Sequence, residues 1–279
     1  MTTQVQPQSK TVSANGHTLH YLDWGNVGKP VALLVHGLRG HAHSWDDVSA
    51  ALCEDFQVLA LDQRGRGDSD WAKDGDYTTG AYVADLAGFV DALGLDKFVL
   101  VGHSMGGRNS MAYAGQNPGK LEKLVIVDVG PVLDSRGSNR ISEEIRNVPE
   151  EFDSFEDVFN YQNAQNRFAS EEVMRRRVQY STRELPNGKI GWKYDILIRE
   201  QRRNNTVPPA DDLWPSLPKI DCPSLVVRGA ETDLLASDTA QQMLETIPNS
   251  QLVEIPQAGH MVFEDNPADF ITAVKEFLG

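Results

Sequence analysis

Six short apolar runs separated by helical patterns constrain this chain more than any other feature. The runs are Val31 to Val35, Phe56 to Leu61, Lys97 to Val101, Leu124 to Val127, Ser224 to Val227 and Gln251 to Ile255. Each has the length of a strand, and the run from Val31 to Val35 is apolar at every position. Such a strand is buried on both faces, as strands of a parallel sheet are. The intervening segments repeat at helical spacing. Val83, Leu86, Phe89, Val90 and Leu93 lie on one stripe that Gly94 closes. Ser44 with Asp47 three residues on reads as a capping box for a helix to about Cys53. Further helices are predicted from about Ser104 to Gln116, from Ser237 to Ile247, and from the Asn266-Pro267 start through Phe270, Val274, Phe277 and Leu278. Repeated alternation predicts a mostly parallel sheet with helices on both faces. Asn15-Gly16 adds a hairpin over Thr11 to Trp24, behind a polar, frayed tail.

The alternation stops between residues 132 and 215. That stretch shows no buried strand, and Ser154 and Ser170 read as helix N-caps. It holds 13 of the 26 Lys and Arg and 15 of the 40 Asp and Glu, a balance of -2, and so leaves -12 of the net -14 to the rest. The expected organisation is a core of residues 1–131 and 216–279 with a helical cap, 132–215, inserted after the fourth buried strand. An insertion there covers the carboxyl ends of the strands, where open α/β sheets bind ligands.

The acidic balance disfavours nucleic acid and anionic membranes as partners. No run approaches a membrane span, and the start has no apolar leader core. A cytoplasmic protein is expected, with Cys53 and Cys222 as buried thiols. His41 and His43 have no third ligand at metal-site spacing, so no metal is expected.

The chemistry centres on Gly102-His103-Ser104-Met105-Gly106. A serine between two glycines, after a strand and before a helix, is a nucleophile elbow. The elbow puts Ser104 at a helix N-terminus, where the Met105 amide can hold an oxyanion. A serine hydroxyl needs a base. His260, in the loop after the last strand, lies on the same rim. The base needs an acid. Asp233, after the strand of Ser224 to Val227, gives the order serine, acid, histidine; Asp128 is the rival, with Glu231 and Asp238 behind it. The second oxyanion donor falls in His36-Gly37-Leu38-Arg39-Gly40, with the Leu38 amide the candidate and His36 orienting the loop.

These pieces, with Asp62-Gln63-Arg64-Gly65-Arg66-Gly67-Asp68-Ser69, resemble the capped serine hydrolases of the α/β-hydrolase family over most of the chain except the cap. The resemblance implies an eight-stranded sheet, a covalent acyl-enzyme on the serine, and no cofactor. It marks Asp62 to Ser69 as a structural bend tied by Arg64 and Asp68, and Asp128 as a position where some members carry the acid. Many relatives have proline where this chain has Arg39, which brings a cation to the entrance. Arg39, His103 and Trp192 are therefore candidate substrate contacts. Trp192, Phe155, Phe159 and Tyr161 line an acyl pocket or form the cap's own core, and Arg175-Arg176-Arg177 is a solvated or salt-bridged face.

The expected function is hydrolysis of a small-molecule carboxylic ester with a small to medium acyl or alcohol group. Activity should rise between about pH 6 and 8 if the base keeps an ordinary imidazole pKa. Lactone or carbon–carbon bond hydrolysis on the same triad is the alternative, and a non-catalytic receptor on this fold the remote one. Aspartate-nucleophile relatives do not fit Ser104. Substrate identity and oligomeric state are not written in these motifs.

Overall fold

The computed structural model describes residues 5–132 and 135–279. A hairpin opens the chain, with strand β1 at Gln8–Ala14 and β2 at His17–Asp23. The first strand therefore takes in part of the expected tail, while residues 1–4 lie outside the described residues. Then come β3 (Val31–Val35), helix α1 (Asp46–Leu52), β4 (Gln57–Leu61), α2 (Thr79–Ala92), β5 (Phe98–His103), α3 (Met105–Gln116) and β6 (Leu121–Val127). The inserted segment holds α4 (Ser135–Asn147), β7 (Glu151–Phe152), α5 (Phe155–Asn163), α6 (Glu171–Ser181), β8 (Thr182–Glu184), β9 (Ile190–Trp192) and α7 (Leu197–Arg203). The core resumes with β10 (Ser224–Gly229), α8 (Ser237–Thr246), β11 (Ser250–Ile255), the single turn α9 (Val262–Asp265) and α10 (Pro267–Leu278).

Eight strands form one sheet in the order β1-β2-β4-β3-β5-β6-β10-β11. β1 and β2 run antiparallel, as do β2 and β4, and every other neighbouring pair is parallel. The strand period explains the unbroken apolar runs. Leu33 and Val35 of β3 join Phe89 and Met111 in the core on one face, while Ala32 and Leu34 join Trp45 and Phe270 on the other. Each buried leucine or phenylalanine contributes about 1.5–3 kcal/mol. Because β3, β5, β6, β10 and β11 are parallel, the loops leaving them share one rim, and every candidate catalytic residue sits on those loops.

Several local expectations hold. Ser154, Ser170 and Asn266 accept the first-turn amides of α5, α6 and α10, and Gly94 ends α2 with φ 64°. Ser44 does not open α1. A short 3₁₀ turn over Ala42–Trp45 precedes the helix, and the Ser44 hydroxyl accepts the His41 amide at 3.3 Å.

The sequence suggests a helical insertion, but the insertion is not purely helical. β7, β9 and β8 form a three-stranded antiparallel sheet. Strands of two or three residues are too short to show an alternating pattern. They cover a small core of Val158, Phe159, Met174, Val178 and Ile190, with Trp192 against its edge. Phe155 is exposed. The Asp62 to Ser69 bend docks this cap. Gly67 N–H donates to the Lys193 carbonyl, Asp195 N–H to the Gly65 carbonyl, and Lys193 pairs with Asp68 at 2.7 Å. Arg64 turns the other way, onto Asp85 of α2. Among the described residues, no helix is long and apolar enough to cross a membrane.

Candidate active site

The elbow works by removing side chains. A Cβ on Gly106 would lie 2.3 Å from the Val35 carbonyl oxygen, one on Gly102 2.4 Å from the Ser110 hydroxyl, and one on Gly107 2.7 Å from Val129. With those three absent, β5 passes into α3 in one tight turn. Ser104 takes φ 53° and ψ -118°, a region L-residues rarely occupy. Its Oγ accepts or donates at 2.9 Å from His260 Nε2.

His260 Nδ1 lies 2.8 Å from Asp128 Oδ2, and the Asp128 carboxylate is fully buried. This corrects the assignment of Asp233. The fold turns Asp128 toward the base by a left-handed residue, φ 51°, immediately after β6. The Gly229 amide donates to Asp128 Oδ1 at 3.0 Å, and the Thr232 hydroxyl donates to Oδ2. In the loop after β10 it is thus Thr232 that faces the site. Asp233, one residue on, points at the cap, where Arg140 of α4 grips it through Nε at 2.6 Å and Nη2 at 2.8 Å. Gly137 permits that approach, since a Cβ there would lie 2.7 Å from the Asp233 carbonyl oxygen.

Burial holds His260 below the ordinary imidazole range, with the Arg140 charge adding to the effect. The neutral imidazole is the form a base requires. Burial pushes Asp128 upward, and the Thr232 and Gly229 donors oppose it.

The oxyanion loop is set from below. His36 Nε2 accepts the Gln63 amide at 3.0 Å, so its proton is on Nδ1, which donates to the Gly37 carbonyl at 2.7 Å. The Gly40 amide donates to the same oxygen at 3.1 Å. In a planar trans peptide the Leu38 N–H points opposite to the Gly37 carbonyl, so fixing one aims the other. Met105 is the first residue of α3, where an amide has no partner within the helix. Burial lowers His36 to about 4, which keeps it neutral. Arg66, missed in the sequence beyond its place in the bend, is 1% exposed and donates to the Leu38 carbonyl at 3.0 Å. It also reaches Met105 Sδ at 3.8 Å, so one guanidinium touches both the loop after β3 and the first residue of α3.

The three candidate substrate contacts fare differently. His103 is buried, and its Nε2–H donates to the His260 carbonyl at 2.9 Å. It thereby braces the loop of His260, and it lines the cavity with its Nδ1 free of any partner among the described residues. Trp192 lines the cavity with its indole, whose N–H donates to the Pro149 carbonyl at 2.8 Å. Arg39 lines the cavity 48% exposed and donates through Nη2 to Glu144 of α4 at 2.6 Å. The cavity measures about 590 Å³ and lies between Ser104 and His260 below and Tyr161, Phe168, Trp192 and Tyr194 of the cap above. Tyr161 therefore faces the cavity, while Phe159 belongs to the cap core.

The sequence pattern of the alpha/beta hydrolase fold matches residues 30–267. A 3-hydroxybutyrate-oligomer hydrolase of Cupriavidus necator is 33% identical over 282 aligned positions, which cover 94% of each chain. An N-formylmaleamate deformylase of Pseudomonas putida is 30% identical over 96% of this chain and 95% of its own. The crystal structure of an alpha/beta hydrolase from Novosphingobium aromaticivorans matches with a TM-score of 0.86 at 28% identity, over 98% of both chains.

Proposed function

The chain belongs to the alpha/beta hydrolase family and is a hydrolase, and on that premise we propose that it cleaves carboxylic esters through an acyl-enzyme on Ser104. The observation that carries the reading is the unbroken relay from Ser104 Oγ through His260 to Asp128, with steps of 2.9 and 2.8 Å. In this reading Ser104 Oγ attacks the ester carbonyl carbon while His260 Nε2 takes its proton. The Asp128 carboxylate stabilises the imidazolium, and the Leu38 and Met105 amides receive the oxyanion. As the carbon–oxygen bond breaks, His260 gives that proton to the leaving alcohol. Water, deprotonated by His260, then attacks the acyl-serine, and the proton returns to Ser104 as the acid leaves.

A cavity of about 590 Å³ suits a small to medium ester. The Cupriavidus relative, named for oligomers of a hydroxy acid, supports ester bonds as the target. The test is hydrolysis of p-nitrophenyl esters of two to eight carbons by wild type and Ser104→Ala. Ser104-dependent turnover with a burst of one nitrophenolate per chain is expected. Turnover that survives Ser104→Ala, or none on any ester, removes the reading.

A further inference from the structure

We propose that the ester this site takes carries a second, free carboxylate, and that the Arg39 end of the cavity receives it. The inference rests on Ser104 being the site of ester cleavage and adds the class of ester.

Charge at that end of the cavity runs against the rest of the molecule. The chain carries 40 acidic and 26 basic residues. Yet Arg199, which pairs with Glu150, and Arg39 and Arg66 all act electrostatically on Tyr194, and Arg66 and Arg39 act on Arg202. Arg66 is almost fully buried. Its hydrogen bonds go to the Leu38 and Arg64 carbonyls, the Tyr82 hydroxyl and Met105 sulfur, with no carboxylate among the described residues. Arg202 donates to the Ile198 carbonyl, likewise with no carboxylate. Burial first, then the Arg66 charge, pull Arg202 down to about 10, against the opposing pull of Tyr82 and Tyr194. Buried cations without counter-ions are costly, and an anion placed beside them recovers that cost.

Arg39 is the member of the group that a ligand can touch. It uses one nitrogen on Glu144, and the planar fork of a guanidinium offers five N–H donors suited to a carboxylate. The hydroxyls of Tyr161 and Tyr194 lie within the electrostatic range of Arg39 and on the same cavity wall. Like Arg39, the other arginines of the cavity meet acids. Arg140 is held by Asp233 and Glu144, Arg167 by Glu231 and Arg177 by Glu264. Glu144 serves both Arg39 and Arg140, whereas Arg66 and Arg202 behind Arg39 have no carboxylate partner among the described residues, so Glu144 is the one acid that this group of three arginines meets. Arg39 and Ser104 line one cavity of about 590 Å³, so a carboxylate on Arg39 and the carbonyl under attack belong to one small molecule. Short hydroxy-acid oligomers and half-esters of short diacids carry both groups.

The test compares matched pairs with and without the charge. One pair is p-nitrophenyl hemiglutarate and p-nitrophenyl pentanoate, with the carboxylate on the acyl side. The other is a hydroxybutyrate dimer and its methyl ester, with the carboxylate on the alcohol side. Wild type should favour the charged member of at least one pair tenfold or more in kcat/KM. Arg39→Gln should lower that ratio by about 10-fold or more, the loss of one charge-assisted contact, and Arg39→Lys should lower it less. Binding of glutarate by calorimetry, weakened in Arg39→Gln, reads the same site without turnover. Ratios near one in both pairs, unchanged in Arg39→Gln, together with no glutarate binding, overturn the inference while leaving Ser104-dependent hydrolysis intact. Absence of any Ser104-dependent hydrolysis overturns the ester reading, and glutarate binding then decides the anion site alone.

Discussion

Replacing Asp128 by asparagine tests the relay at one atom. The two carboxylate oxygens have unequal duties. Oδ1 accepts the Gly229 amide, and Oδ2 accepts from Thr232 and His260. An asparagine has one acceptor and one donor end. Turned so that its NH₂ meets the Gly229 amide, it would oppose two donors in a buried site, at a cost of about 1–3 kcal/mol. It therefore keeps its oxygen on Gly229 and presents its NH₂ to His260 Nδ1. The imidazole must then accept at Nδ1 and carry its proton on Nε2, the atom 2.9 Å from Ser104 Oγ. The base is lost with the geometry intact. A wrong tautomer of this kind lowers kcat about 10⁴-fold, or about 5.4 kcal/mol in the barrier. Asp233→Asn removes a partner of Arg140 and a charge that acts on His260 without a hydrogen bond to it, and the Asp233 and Arg140 side chains are 39% and 43% exposed. A pair that open to solvent contributes about 1 kcal/mol or less, so kcat/KM should fall no more than about fivefold. Both variants are to be measured by nitrophenolate release at saturating ester, with near-ultraviolet circular dichroism to confirm folding. The argument fails if Asp233→Asn loses a thousandfold or more while folded Asp128→Asn stays within tenfold of wild type.

Three further outcomes follow from the same contacts. Burial holds His36, His41, His103 and His260 below the free imidazole value, so all four are neutral in the fold and take up protons on unfolding. Stability is then lost as pH falls below about 6.5, with each histidine adding a slope of about 1.4 kcal/mol per pH unit; urea midpoints unchanged between pH 7.5 and 5 would contradict this. The same shift in His260 moves the rising limb of kcat/KM to the acid side of the pH 6 to 8 window expected for an ordinary imidazole, and a midpoint above pH 7 would argue against the burial effect. Gly106→Ala drives a methyl against the Val35 and His36 carbonyl oxygens at 2.3 and 2.6 Å; backbone cannot yield there, so a loss of about 3 kcal/mol or more in denaturant unfolding is expected, and a stable, active variant would show that the elbow can relax.

The sheet was legible because burial on both faces leaves its mark on every residue of a strand. The run from Val31 to Val35 is β3 as read, and helix caps such as Ser154 and Asn266 report a hydrogen bond only one turn away. Ser104 and His260 were legible for a related reason, since Ser104 directly follows β5 and His260 lies in the loop after β11, on strands whose direction is known. The acid was not. Thr232 and Asp233 are neighbours in one loop, and only the path of that loop decides which of them faces His260. What could have favoured Asp128 is its place directly after β6, where one left-handed residue suffices to aim a side chain across the rim. Arg66 escaped because its partners are the carbonyls of Arg64 and Leu38, the Tyr82 hydroxyl and the Met105 sulfur, with no acid among them to give a residue-type signal.

The charge imbalance of the sequence has a structural counterpart that bears on how the site is closed. The cap is nearly balanced and the core strongly acidic, and across their border the cations come from the cap. Arg140, Arg167, Arg176, Arg177 and Lys193 meet Asp233, Glu231, Asp47, Glu264 and Asp68 of the core. Such a border is attractive along its whole length, so it seats the cap over Ser104 without a large apolar interface. Single pairs of this exposure are weak, but five acting on one rigid body are screened together by salt. Arg39 reverses the rule, being a core cation that meets a cap acid. That reversed pair still draws core and cap together, and it places a core cation in the cavity that Ser104 lines.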